Sequence, residues 1–220
     1  MSLESALLTL GLWTFFGTQH SFLAQPPIKN FLRRRIGDDF VDYCYRFIYF
    51  ASQCVVYPAF WFVITRLESG PVLFAIPAAL FPVLFALKLF SYLLILLSLL
   101  AADINDFIGT KPLYLYLRSK VPGSEPLGDV KVFGQSKLVV RFPFNIVRNP
   151  MYLGLLISMA SSTHLITEKA LLNFACLFAY VLIGVYFEER QLIKIFGGDY
   201  LEYQKSVSKL LPTSVFKLPA

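Results

Sequence analysis

Seven consecutive residues, Arg148-Asn149-Pro150-Met151-Tyr152-Leu153-Gly154, bring a guanidinium, a carboxamide and a phenol close together, and the acidic pair Glu188-Glu189 begins 40 residues after Arg148. An arginine presents a planar fork suited to a carboxylate, and two adjacent acids present acceptors for an ammonium group or ribose hydroxyls. A small zwitterion would fit between them. A second reading needs no ligand: Arg148 anchors the chain at a membrane edge, Glu188 and Glu189 end a helix there, and Tyr152 belongs to an aromatic belt. Spacing alone leaves both readings open.

The elements that must position these residues are membrane spans. The chain has 220 residues, 56% hydrophobic and 16% aromatic, with a mean hydropathy of +0.61. A water-soluble domain would have too little polar surface to cover that much apolar material. A crossing helix needs roughly 20 residues, so the separation between Arg148 and Glu188 is a span out and a span back, returning the acids to the face that holds the arginine.

The expected fold is therefore all-α, a polytopic integral membrane helix bundle of about five transmembrane helices in one domain. Spans fall near 3–23, 43–64, 72–102, 147–164 and 169–187, with an interfacial loop over 103–146 and an amphipathic tail over 188–220. The first run lacks a basic leader and ends in Gln-His-Ser, which makes it a retained span rather than a signal peptide. Pro77 and Pro82 predict a tilt or kink in the third. The fourth, from Pro150 to Thr163, is short for a bilayer, so it either packs among other helices or begins nearer Phe144. After Pro26-Pro27, the cluster Lys29, Arg33, Arg34 and Arg35 reads as a surface loop attracted to anionic headgroups.

Charge gives the chain an orientation. With the N-terminus out and the C-terminus in, sixteen of the 20 Lys and Arg residues fall on the inner side and only Arg66 and Lys169 on the outer. That asymmetry is the one the positive-inside rule predicts. The three cysteines and two histidines lack the spacing of a disulfide framework or a metal site. The net charge of +6 suits anionic lipid, and no nucleic-acid module is present.

Three segments carry a family resemblance. Val147 to Gly154, then Phe187-Glu188-Glu189-Arg190-Gln191-Leu192, then Phe196-Gly197-Gly198-Asp199-Tyr200 with Tyr203 and Pro212, resemble the C-terminal signature of the membrane methyltransferases that include isoprenylcysteine carboxyl methyltransferase and the phospholipid methyltransferases. Gln19 to Lys29, and Asp106-Phe107-Ile108-Gly109 with Tyr116-Leu117-Arg118, are similar to a narrower branch: methanethiol S-methyltransferase, NnrU and nurim. The resemblance implies S-adenosylmethionine as methyl donor, no metal, and an apolar acceptor such as a small thiol or a lipid-like molecule. It assigns Arg148, Asn149 and Tyr152 to catalysis and Arg148, Tyr152, Glu188, Glu189 and Tyr200 to the cofactor. Two positions depart from the wider pattern: Asn149 stands where many relatives have histidine, and Phe142-Pro143-Phe144 stands where Gly-x-Tyr is common.

Other residues have plainer roles beside functional ones. His20 is either a substrate or loop contact or an interfacial hydrogen-bonding residue. Lys88, deep in the third run, must face protein or a headgroup; Asp103 and Asp106 reach it only if the helix bends. His164 belongs in an outer turn. The partners implied are membrane lipids and, in the alternative reading, other membrane subunits around a catalytically inactive relative. The host membrane is left open among endoplasmic reticulum or nuclear envelope, mitochondrial inner membrane and bacterial inner membrane.

Overall fold

The computed structural model describes residues 1–123 and 137–213. The middle of the expected interfacial loop and the end of the expected tail lie outside the described residues. In chain order the elements are α1 (Leu3–Ala24), α2 (Pro26–Ile36), α3 (Asp38–Arg66), β1 (Val72–Ala75), a 3-10 turn (Ala78–Leu80), α4 (Phe81–Ala101), α5 (Ile104–Ile108), α6 (Thr110–Ser119), α7 (Pro150–Ala160), β2 (Leu165–Thr167), α8 (Glu168–Phe196) and α9 (Gly198–Ser206). The architecture is that of an all-α membrane bundle. Among the described residues three helical stretches are long and apolar enough to cross a membrane: Asp38–Arg66, Ala78–Ala101 and Glu168–Phe196. Their outward side chains, including Phe62, Phe85, Phe90 and Phe187, are exposed apolar groups, as suits a chain solvated by lipid.

Two compact units divide the chain. The first comprises residues 1–13, 67–101 and 137–220. Within it α7 packs along α4. Eleven residues rise about 16 Å, roughly half the hydrocarbon thickness, so α7 is a half-length helix, mostly half-buried, and it begins at Pro150 after turns over 142–146 and an isolated bridge at Val147. Gly154 and the buried serines Ser91 and Ser98 make the approach to α4 close: a Cβ on Gly154 would lie 2.7 Å from Ile95 Cγ1 and 3.0 Å from the Ser91 carbonyl oxygen. Small residues at such crossings let helix backbones meet where lipid supplies no hydrophobic drive. Ser91 and Ser98 satisfy their hydroxyls on their own helix, at the Lys88 and Leu94 carbonyls.

The start of the third apolar run departs from expectation. Val72–Ala75 is a strand, paired antiparallel with Leu165–Thr167, and the helix begins only after Pro77. The β-prone Val72, Phe74 and Ile76 ahead of Pro77, with a partner strand far along the chain, favour a ribbon that joins two turns. Thr167 then caps α8 by accepting from the Ala170 amide. Lys88 donates to Ser162 Oγ at 2.6 Å, so this intramembrane cation faces protein. The His164 ring lies against Phe81 in the turn.

Trp13 anchors α1 in this unit. Its Nε1 donates to Asn173 Oδ1 at 2.8 Å, and both side chains are buried. Trp13→Phe keeps an aromatic ring, though a smaller one, and strands Asn173 Oδ1, so we expect a loss of at least about 1–3 kcal/mol from the unmade bond, read as a lower melting temperature in detergent; an unchanged melting point would show the bond to be dispensable.

The second unit comprises residues 14–66 and 102–136. The basic stretch after Pro26-Pro27, expected as a loop, is the helix α2; prolines at the first positions of a helix fit its fixed φ and missing N–H. Packed on α3 are α2, α5 and α6. Gly109, with φ of +88°, lets the turn between α5 and α6 come within 2.7 Å of the Phe47 amide nitrogen, measured from where a Cβ would stand. Asp103 caps α5 by accepting from the Asn105 amide. His20 lies in this unit, 3.3 Å from Gln53 Oε1 and stacked on Phe16.

Candidate functional site

The candidate site is built in the first unit from the entry to α7, the far end of α8 and the segment after α9. α8 is 29 residues long, about 43 Å at 1.5 Å per residue. Glu188 and Glu189 therefore do not end the helix; they lie about 30 Å along it, at the depth where a hydrocarbon core would give way to the interface. Gly197, at φ of +56°, ends α8 by donating its N–H to the Ile193 carbonyl, and α9 turns back.

Adjacent helical residues point about 100° apart, and the two acids accordingly have different surroundings. Glu189 is buried. Its Oε1 accepts from Arg148 Nε at 2.9 Å and from Asn149 Nδ2 at 3.3 Å; its Oε2 accepts from Gln204 Nε2 at 3.2 Å and lies 3.6 Å from Lys209 Nζ. The Arg148 and Glu189 side chains are only 8% and 7% exposed. Arg148 Nη1 also donates to the Gln204 carbonyl at 3.0 Å and to the Val207 carbonyl. Backbone contacts complete the knot: the Arg148 amide donates to the Ser208 carbonyl and the Asn149 amide to the Lys209 carbonyl, with Val147 bridged in parallel to Ser208. A buried ion pair is tolerable only when its remaining hydrogen-bonding capacity is met, and here the chain itself meets it.

Glu188 is exposed, and its Oε2 accepts from Tyr152 Oη at 2.9 Å. Tyr152 also packs against the core of Leu156, Val181 and Val185. Tyr200 is buried with its ring 5.7 Å from that of Tyr203, whose hydroxyl donates to the Phe144 carbonyl at 2.6 Å. Burial and the nearby Glu189 charge push the Tyr200 phenol far above its usual range. Burial also raises Tyr203, to about 12, against the opposing pull of Arg148. Both phenols stay neutral donors at any physiological pH.

The structure thus gathers Arg148, Asn149 and Glu189 into one internal knot, holds the half-buried Tyr152 and the exposed Glu188 as a separate pair, and buries Tyr200 beside the knot. His20 belongs to the other unit. Sequence reasoning missed the contributions of Gln204, Val207 and Lys209, which act largely through main-chain carbonyls and so leave no mark in residue type. It also missed an open cleft of about 410 Å³ beside α9, lined by Leu138, Val140, Asn145, Asp199, Glu202 and Tyr203. Among the described residues no group of three or more His, Cys, Asp or Glu could hold a metal ion.

The phospholipid methyltransferase family model matches residues 125–199. Methanethiol S-methyltransferase 2 of Bradyrhizobium diazoefficiens is 30% identical over 212 residues, 95% of this chain and 74% of that protein. The chain belongs to the methanethiol S-methyltransferase family of membrane methyltransferases. Another family member, from Mycobacterium tuberculosis, is 26% identical over 95% of this chain and 79% of its own length; a third, from Pseudomonas deceptionensis, is 40% identical over a shorter segment, 32% of this chain and 26% of that protein. No solved structure matches. The family match begins at residue 125, outside the described residues, and runs through α7 and α8 to Asp199, so it contains Arg148, Tyr152 and both acids.

Proposed function

We propose that the protein transfers the methyl group of S-adenosylmethionine to a small thiol or lipid-like acceptor at the membrane. The observation that carries this reading is the 30% identity, over 95% of the chain, to a protein named for methylating methanethiol. The residues present fit the donor in one respect and constrain it in another. Glu188 offers an exposed carboxylate, already oriented by Tyr152, for an ammonium group or ribose hydroxyls. Arg148 has its guanidinium committed to Glu189 and two carbonyls, so Arg148, Asn149 and Glu189 serve as positioning residues that hold the chain after α9 against the entry to α7.

Bound at this site, the donor supplies an electrophilic methyl on a sulfonium. Tyr152 orients Glu188 through its hydroxyl and is itself backed by the packed core of Leu156, Val181 and Val185, with Tyr200 buried beside the knot. Asn149 has no basic nitrogen to take a proton. Catalysis is then chiefly alignment of acceptor and methyl. The charge asymmetry supports an N-terminus outside and a C-terminus inside.

A second reading is a catalytically inactive relative serving as a structural or accessory subunit of a larger membrane complex. The observation favouring it is that Arg148 is wholly occupied within the chain. Calorimetric titration of the purified protein with S-adenosylmethionine and its demethylated product separates the two. Saturable micromolar binding is expected; none by a folded sample selects the structural subunit. Glu188→Gln is expected to weaken binding at least tenfold, about 1.4 kcal/mol, while Asp199→Asn changes it little; the reverse order would move the donor into the cleft beside α9.

A further inference from the structure

Each of the two helices at the candidate site, α7 and α8, holds one internal glycine, and the two have opposite surroundings. Gly154 of α7 is pressed against α4, where an added Cβ would meet Ile95 and the Ser91 carbonyl. At Gly184 of α8 an added Cβ would meet, among the described residues, only the Tyr152 hydroxyl, at 4.0 Å, which is ordinary contact. Close packing therefore does not call for glycine here. Inside a helix glycine is less stable than alanine, so Gly184 gives the fold nothing that alanine would not, and what it contributes is open space.

That space adjoins the pair proposed to hold the donor. Gly184 precedes Glu188 by four residues and so stands one turn below it on the same face of α8, about 6 Å farther into the hydrocarbon. The Tyr152 hydroxyl spans the two positions, donating to Glu188 Oε2 at 2.9 Å and facing Gly184. One turn deeper again lies Tyr180, its ring 6.4 Å from that of Trp13, and below it Leu177 packs on the core of Leu156, Val181 and Val185. This face of α8 is bulky at Tyr180, bare at Gly184 and charged at Glu188.

We infer that the space over Gly184, between Tyr180 and the pair of Tyr152 and Glu188, receives the apolar group of a thiol acceptor, and that Gly184 sets the size of acceptor the protein takes. The inference rests on the proposed methyl transfer and adds a specificity-determining residue to it. A polar zwitterion is best placed at the carboxylate near the interface, whereas an apolar group gains by lying one turn deeper, out of water. Tyr180 and Glu188 are two turns apart, about 12 Å of helix, so the space suits a short alkyl group.

The test sets Gly184→Ala and Gly184→Val beside the wild type in the full-length protein, reading melting temperature, calorimetric binding of S-adenosylmethionine, and transfer of radiolabelled methyl to thiols of one to four carbons. Gly184→Ala should melt at or above the wild-type temperature; a fall would show the space to be filled and overturn the inference. Donor affinity should stay within about twofold. The ratio of kcat/KM for the one-carbon thiol to that for the four-carbon thiol should rise about tenfold or more in Gly184→Ala, the discrimination one methylene carries in an apolar pocket, and further in Gly184→Val. Should the valine variant fail to fold, the alanine variant carries the reading. Lost donor affinity with unchanged selectivity would give the position to the donor and overturn the inference, as would wild-type selectivity in both variants. Wild-type protein that binds the donor but methylates none of the thiols overturns the inference and leaves the donor site standing. Wild-type protein that binds no donor ends the proposed function and this inference together.

Discussion

Glu189→Ala is expected to lower the stability of the protein by about 3–5 kcal/mol, the usual effect of removing one partner from a buried ion pair. The magnitude follows from what is left behind. Arg148 would keep its two carbonyl partners, but its charge would remain in a site only 8% exposed with no compensating carboxylate. Asn149 and Gln204 would each lose an acceptor. Chemical denaturation in detergent would report the loss, and limited proteolysis should cut the segment around Val207–Lys209 first, because Arg148 and Asn149 hold it. Replacing both partners, Arg148→Met with Glu189→Leu, should recover much of the stability, since apolar pairs of similar volume often equal or exceed a buried ion pair. A single alanine with unchanged stability would show that the knot carries no net weight.

Gly154→Ala is the second large effect. The added Cβ would stand 2.7 Å from a side-chain atom of Ile95 and 3.0 Å from the backbone oxygen of Ser91. Ile95 can shift; the Ser91 carbonyl belongs to α4 and cannot move alone. Overpacking of this kind costs about 1–3 kcal/mol, and here it separates α7 from α4 at the place where Arg148 and Tyr152 take their position. Melting temperature and donor binding should fall together. The double variant Gly154→Ala, Ile95→Ala removes the closer clash and should recover part of the binding loss, even though the missing isoleucine atoms limit the recovery in stability. Wild-type behaviour of Gly154→Ala would mean that α7 sits farther from α4 than described.

Much of this arrangement was legible in the residues. The separation of Arg148 from the acidic pair, measured in span lengths, brings them to one place, and the structure puts Glu189 2.9 Å from Arg148. Which acid turns inward was not legible, because it depends on the rotation of α8, set by Val181 and Val185 packing against α7. The partners of Arg148 in the chain after α9 are carbonyl oxygens, which every residue has. Pro26-Pro27 reads equally as a loop and as a helix start, and only the packing of Lys29 and Arg33 on α3 selects the helix. The strand Val72–Ala75 is invisible without its distant partner Leu165–Thr167. Lys88 could be read as protein-facing from cost alone; that Ser162 receives it could not.

The pairing of Val147, Arg148 and Asn149 with Val207, Ser208 and Lys209 also bears on how the chain is made. Synthesis runs from the N-terminus, and residues 207–209 emerge after every span has been delivered. Until they arrive, the guanidinium of Arg148 lacks the second of its two carbonyl partners, and the amides of Arg148 and Asn149 lack theirs. The entry to α7 is thus completed last, and a chain halted before Gln204 would present an unfinished arginine and carboxylate at the membrane edge. Such a chain would be chemically distinct from a finished one, and a quality-control protease could tell them apart at that single corner.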